Sequence, residues 1–219
     1  MPKRTFYYVR NFSVLCVIAW SIQMAVGAEA LYENHFESAK EGEVPDEFLV
    51  LGGDFKVQSG DGNRYLELPG APLEAFGVMF GPSEQEGVAV SARIHGVAKG
   101  RRMPTFSVGL NGVAGYRLRV SPAKRSIELY KSDDVVASVP YRWQADRWLW
   151  LRLEVRKGAG PEWMILGKVW LDGSPEPLVE TISWKELEEP FAGRPSVWGS
   201  PFSGKPIRFD NFQVTRLEE

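Results

Sequence analysis

The sequence predicts an all-β fold, a two-sheet antiparallel sandwich of the jelly-roll type, on three observations. Short apolar runs alternate with a period of two, the mark of strands buried on one face. They recur at intervals of roughly ten residues, with turn-forming residues between them, as in sandwiches and barrels. Helical periodicity is nearly absent. The 22 glycines and 15 prolines are spread along the chain and mark no linker, so the strands belong to one domain.

The opening segment is set aside before the strands are read. "MPKR" and Arg10 give a basic start, "FSVLCVIAW" a short apolar core, and "VGA" small residues ending at Ala28. That pattern is a secretory signal peptide over residues 1–28, too short in its apolar run to span a membrane. The domain then covers 29–219, with a cut after Ala30 ("AEA") as the second choice. Leu15, not a small residue, precedes Cys16, which argues against a lipid anchor. Losing Lys3, Arg4 and Arg10 takes the net charge from −2 to −5 and leaves no cysteine. An exported domain without disulfides must then rest on its own core, and about 190 residues suffice for one. An acidic balance without basic blocks points away from nucleic acid, and nothing after residue 28 is apolar for long enough to insert in a membrane.

The strand runs follow in order: "FKVQS", "RYLEL", "GVAVSARIHG", "TFSVGLNG", "GYRLRVS", "SIELY", "VVASV", "RWLWLRLEVRK", "MILGKVWLDG" and "IRFDNFQV". Turn residues such as "SPAKR", "KSDD", "KGAGPE" and "LDGSPEP" separate them. "SWKELEEPF" (183–191) is read as a helical turn, with Ser183 as N-cap and Glu186 as its partner. In "RWLWLRLEV", Leu149, Leu151, Leu153 and Val155 form a core stripe, while Trp148, Trp150, Arg152 and Glu154 face away. In "MILGKVWLDG", Ile165, Val169 and Leu171 match the core stripe and Met164, Lys168 and Trp170 the other face. Arg117 and Arg119 oppose Tyr116, Leu118 and Val120; Glu128 and Tyr130 oppose Ile127 and Leu129. In "IRFDNFQV" the apolar stripe changes face at Asp210-Asn211, which predicts a β-bulge re-aiming the strand.

The stretches "LYENHFES", "VPDEFLVLGGDFKVQ", "RYLEL", "RWLWLRLEVRK", "LGKVWLDGSPEP" and "IRFDNFQV" together resemble the concanavalin A-like lectin/glucanase superfamily. The resemblance covers most of residues 31–216 and is nearest to laminin G-like and 3-keto-disaccharide hydrolase-like domains of secreted bacterial proteins. It implies two curved sheets, a concave face that binds glycans, and paired terminal strands. Members often hold a structural calcium ion between those strands, which the resemblance would place at Glu33, Asn34 and Asp210; no cofactor is required. The E-x-D-x-E strand of the family's glucanases has no counterpart here.

Sugars need flat apolar surface for their C–H faces and planar polar groups for paired hydroxyls. Trp150, Trp170, Tyr130, Arg117 and Arg119, with Trp148, Glu128 and Arg152 beside them, supply those types and are expected to share one sheet face. The leading expectation is therefore an exported, non-catalytic carbohydrate-binding domain whose partner is a glycan. Burial of the tryptophans as a second core layer is the competing one. A glycoside hydrolase would need two carboxylates over one cleft, about 5–9.5 Å apart, and Glu128 and Glu154 are the strand-borne acids available. A ligand-free envelope domain is the third alternative. Lys99, Arg101 and Arg102 in "HGVAKGRRMP" form a basic loop that would suit an anionic polysaccharide, or simply a solvated turn. "PSVWGSPFSG" (195–204) reads as a loop presenting Trp198 and Phe202, either as a binding platform or as a plug capping one end of the sandwich. Two histidines and no mature cysteine leave no zinc spacing and almost no nucleophile–base pair.

Overall fold

A computed structural model describes Met1 and residues 29–218; the expected signal peptide lies outside the described residues. Fifteen strands, numbered in chain order, form two antiparallel sheets, and no helix occurs among the described residues. The larger sheet runs β13 (Ile182–Glu186), β12 (Trp163–Leu171), β11 (Arg147–Lys157), β6 (Val88–Gly96), β15 (Ile207–Arg216), β4 (Asn63–Leu68), β3 (Lys56–Gly60). Its eighth strand, β1 (Ala30–Asn34), pairs with β15. The smaller sheet runs β10 (Asp134–Pro140), β9 (Ser126–Lys131), β8 (Tyr116–Ser121), β7 (Thr105–Leu110), β14 (Ser196–Ser200), β5 (Phe76–Met79), β2 (Leu49–Val50).

The period-two stripes bury between these sheets. Leu149, Leu151, Leu153 and Val155 of β11 are at most 1% exposed, and they meet Ile94, Ala92, Val90 and Val88 of β6 in register. From the other sheet come Phe106 and Val108, Leu118 and Val120, Ile127 and Leu129. The contacts between sheets run through this layer: β7 against β6 and β11, β8 against β11, β14 against β15. Nearly forty apolar side chains are buried, at about 1.5–3 kcal/mol for each large one, so the hydrophobic term needs no disulfide to assist it.

The polar hinge of β15 is a bulge. Register with β6 shifts between Asp210 and Gln213, and Asn211 takes a left-handed backbone, φ 52°. The shift lets Ile207 and Phe209 before it, and Phe212 and Val214 after it, all face the core. It also marks where the neighbour changes. On one side β15 keeps β6 throughout; on the other, β4 pairs residues 207–209 and β1 pairs 212–215. Behind it Phe212 stacks on Phe80 (4.4 Å) and takes the edge of Phe36 (5.1 Å).

Two local expectations are overturned. Residues 183–186 belong to strand β13, not to a helical turn. Ile182, Trp184 and Glu186 point inward against the edge of β12, and that alternation outweighs the capping pattern. Glu186 Oε1 instead accepts the N–H groups of Leu187 and Glu188, ending the strand. Residues 196–200, read as a loop, form strand β14 in the interior of the smaller sheet, between β7 and β5. Glycine and serine hid it, but Gly199 is needed there: a Cβ would come within 3.0–3.1 Å of Ile207, Leu68 and Phe209 across the core.

Candidate functional site

The expected single platform does not exist. Trp150 and Trp170 lie on the outer face of the larger sheet; Arg117, Arg119 and Tyr130 lie on the outer face of the smaller one. The residue types were legible, but strand period assigns a side chain to the non-core face without saying which sheet owns the strand. The same split removes the carboxylate pair. Glu154 is on β11 and Glu128 on β9, with the core between them, so they cannot flank one glycosidic bond.

On the larger sheet, cross-strand register sets one row: Trp170, Trp150, Arg93, Asp210. The two indoles are parallel within 7° at 5.9 Å between centroids. Asp172, at the end of β12, accepts from Trp150 Nε1 (2.8 Å) and from Arg93 Nη1 (3.1 Å). Arg93 Nη2 reaches Asp210 at 2.5 Å and its guanidinium lies 4.5 Å from the Trp148 ring centroid. All three tryptophans are half-buried, their ring surface shared between neighbours and solvent.

Two residues along β11 is the next row: Trp148, His95, Arg208, Glu67. Arg208 pairs with Glu67 (3.2 Å) and covers Tyr65 at 4.7 Å; Trp148 meets Tyr65 and His95 edge-on or tilted. His95 Nε2 lies 3.2 Å from Asp146, and its Nδ1 is buried with no hydrogen-bond partner among the described residues. Burial pushes the His95 imidazole below its ordinary value and Arg208 adds to this, against the pull of Asp146. In the other direction lie Arg152 with Glu154 (2.8 Å) and Lys168 with Glu176 (2.8 Å). Arg93, His95, Tyr65 and Asp172 escaped the sequence reading. For Arg93 and His95 the signal was the alternation "ARIH", in which Arg and His share the face opposite Ala92 and Ile94.

The smaller sheet carries a closed cluster. Arg117 lies between Tyr130 (5.7 Å) and Trp198 (5.2 Å), and Arg119 covers Tyr130 at 4.0 Å. Glu128, 3% exposed, accepts from Arg119, Ser121, Lys124 and Tyr130. Burial raises its carboxyl, but the bonds from Ser121 and Lys124 and the charge of Arg119 outweigh this and hold it below the usual range. Trp198 lies flat on Gly77, where a Cβ would come within 2.6 Å of the indole. With Tyr130 buried, Trp198 half-buried and the Glu128 carboxylate holding four donors, this cluster is bonded largely to itself.

The calcium residues do not fit an ion. Asp210 is fully buried; its Oδ2 accepts from Arg93 and Asn63 and its Oδ1 from the Asn211 N–H. The cation beside Asp210 is therefore a guanidinium. Asn34 Oδ1 accepts from the Phe36 N–H, and Glu33 stands apart, half-exposed near His35. Among the described residues no three His, Cys, Asp or Glu side chains gather as a metal cluster.

No known family model matches the chain, and no curated protein sequence matches it significantly. Solved structures do resemble it. The carbohydrate-binding module CBM66 from Bacillus subtilis is 11% identical with a TM-score of 0.54, over 77% of this chain and 95% of that one. The carbohydrate recognition domain of Emp46p, metal-free, is 12% identical with a TM-score of 0.57, over 87% and 97%. The PL-14 alginate lyase from Aplysia kurodai is 13% identical with a TM-score of 0.57, over 86% and 100%. At such identities the likeness defines the fold, a lectin-like jelly-roll sandwich.

Proposed function

We propose that this is an exported carbohydrate-binding domain, and that the outer face of the larger sheet is its sugar platform. One observation carries the reading: the parallel pair Trp150–Trp170, flanked in the same row by the Asp172 carboxylate and the Arg93 guanidinium. Indole faces take the C–H surface of a pyranose, and cation and carboxylate offer planar donors and acceptors to its hydroxyls. Each polar group there already has a partner that fixes its direction, so little ordering is left to binding. The structural likeness to CBM66 and to the Emp46p domain supports the reading at the level of fold. Assignment to the laminin G-like or 3-keto-disaccharide hydrolase-like branch is part of the same proposal.

Trp170→Ala and Trp150→Ala should each weaken glycan binding by about tenfold to a hundredfold, the scale of one lost aromatic contact, while circular dichroism and melting stay near wild type. Array screening followed by calorimetry measures this. A broad array with no bound glycan, or tryptophan variants that bind as well as wild type, defeats the proposal.

A further inference from the structure

On the two sheet faces Arg93, Arg117, Arg119, Arg152 and Arg208 each hold a carboxylate. The arginines at one end of the sandwich do not. A pocket of about 330 Å³ opens there, lined by Ala98, Met103, Pro122, Arg125, Arg142, Trp143 and Ala145. Neither Arg125 nor Arg142 forms an ion pair among the described residues, and no acid lines the pocket. Arg101 and Arg102 stand exposed on the neighbouring 97–104 loop, whose turn is closed by reciprocal bonds between Lys99 and Arg102.

The pocket is held by backbone. Arg125 sits in the β8–β9 turn at φ 56°, its N–H bonded to Pro122 and its carbonyl to the Tyr141 N–H. That bond ties the turn to the loop carrying Arg142 and Trp143. Trp143 packs on Phe106 (6.1 Å), and its indole N–H is buried with no acceptor among the described residues. A fixed cleft with two unpaired guanidiniums and no carboxylate is electrostatically unfinished, and an oxyanion completes it.

Its position supplies the rest. Ala145 precedes Asp146, which contacts His95, and β11 then delivers Trp148 and Trp150 to the sugar platform. Successive same-face residues on a strand are about 7 Å apart, so a chain of two or three sugar rings leaving the tryptophans past His95 arrives at the pocket. We infer that this pocket binds a carboxylate or sulfate substituent of an acidic glycan whose neutral rings lie on the Trp150–Trp170 row. The glycan half rests on the proposed function; the anion half does not.

The test separates them. In ¹⁵N-labelled protein, the Trp143 indole N–H peak, assigned by Trp143→Phe, is followed during titration with sodium sulfate, and with sodium chloride at equal ionic strength. Sulfate should shift it saturably, chloride should not, and the double variant Arg125→Asn/Arg142→Ala should lose the response. Both positions are exposed, and Asn tolerates the backbone of residue 125. In parallel, oligogalacturonate and chondroitin sulfate oligosaccharides should bind wild type at least about tenfold more tightly than neutral gluco-oligosaccharides, the scale of one charge-assisted bond. The double variant should erase that preference. Equal responses to sulfate and chloride overturn the pocket, whatever glycans bind. A sulfate response with neutral but no acidic glycan bound overturns the glycan half alone, and one with no glycan of either kind bound overturns the reading it rests on as well. A preference for acidic glycans that survives the double variant places it elsewhere and overturns the assignment.

Discussion

Arg93→Met is the perturbation most exposed to error, because it separates the platform's architecture from its chemistry. Methionine keeps most of the aliphatic volume and removes the guanidinium. Asp210, fully buried, then retains only the Asn63 amide (2.9 Å) and the Asn211 N–H (2.7 Å) and has no cation within reach. Breaking a buried pair costs about 3–5 kcal/mol because it strands the other charge. The Arg93 side chain is 18% exposed, so the lower end applies, about 3 kcal/mol. For a domain of this size that lowers Tm by roughly 6–12 °C. Urea unfolding followed by tryptophan fluorescence reads it as a drop in midpoint with unchanged slope. Adding Asp210→Asn removes the stranded charge, and the double variant should recover about 1–2 kcal/mol relative to the sum of the single changes. A single variant within 1 kcal/mol of wild type, or strictly additive changes, would refute the view that this ion pair secures the bulge.

Four further outcomes follow from the structure. Glu128 and Glu186 are both held below the usual carboxylate range in the fold, as hydrogen bonds and ion pairs outweigh burial. Their contribution is whole above the unfolded value, near 4.3, and is lost as pH falls through the lower folded values; Glu128→Gln should flatten that decline in urea midpoints measured from pH 7 to 3. His95, depressed chiefly by burial, adds an earlier, shallower loss that begins as pH drops below about 6.5 and vanishes in His95→Gln. At the bulge, Asn211→Gly should cost little, whereas Asn211→Val forces a β-branched residue to φ 52° and should cost about 1–3 kcal/mol by the same urea assay. Finally, excess EDTA should leave the melting curve unchanged, because both oxygens of Asp210 already accept protein donors; a fall in Tm on chelation would show that an ion is held there after all.

The strands were legible wherever aliphatic residues alternated, because burial on one face writes its period into the chain. "RWLWLRLEVRK" is β11 and "SIELY" falls within β9 for that reason. The bulge too was legible, since a face change leaves the apolar residues out of step. Segments whose place is set by neighbours were not. β14 reads as loop because one of its two inward positions, beside Val197, is a glycine that the opposite sheet requires. β13 reads as a helix start because Ser183 and Glu186 satisfy a local rule that an edge pairing overrides. For the site, outward-facing tryptophans could be named, but allocating Trp150 to one sheet and Tyr130 to the other needs strand order, which depends on contacts far apart in the chain. Arg93 was overlooked because one arginine between alanine and isoleucine gives no hint that Asp172 and Asp210 converge on it.

The place of β15 has a consequence for how the molecule comes into being. The fifteenth strand in chain order is not at a rim but inside the larger sheet, with β6 on one flank and β4 and β1 on the other. Until it arrives, three strands present unsatisfied amides, and the half-built sheet is sticky and incomplete. Contacts of such sequence separation make closure slow. The larger sheet therefore cannot close before β15 is in place, and a chain truncated before Ile207 is exposed to aggregation.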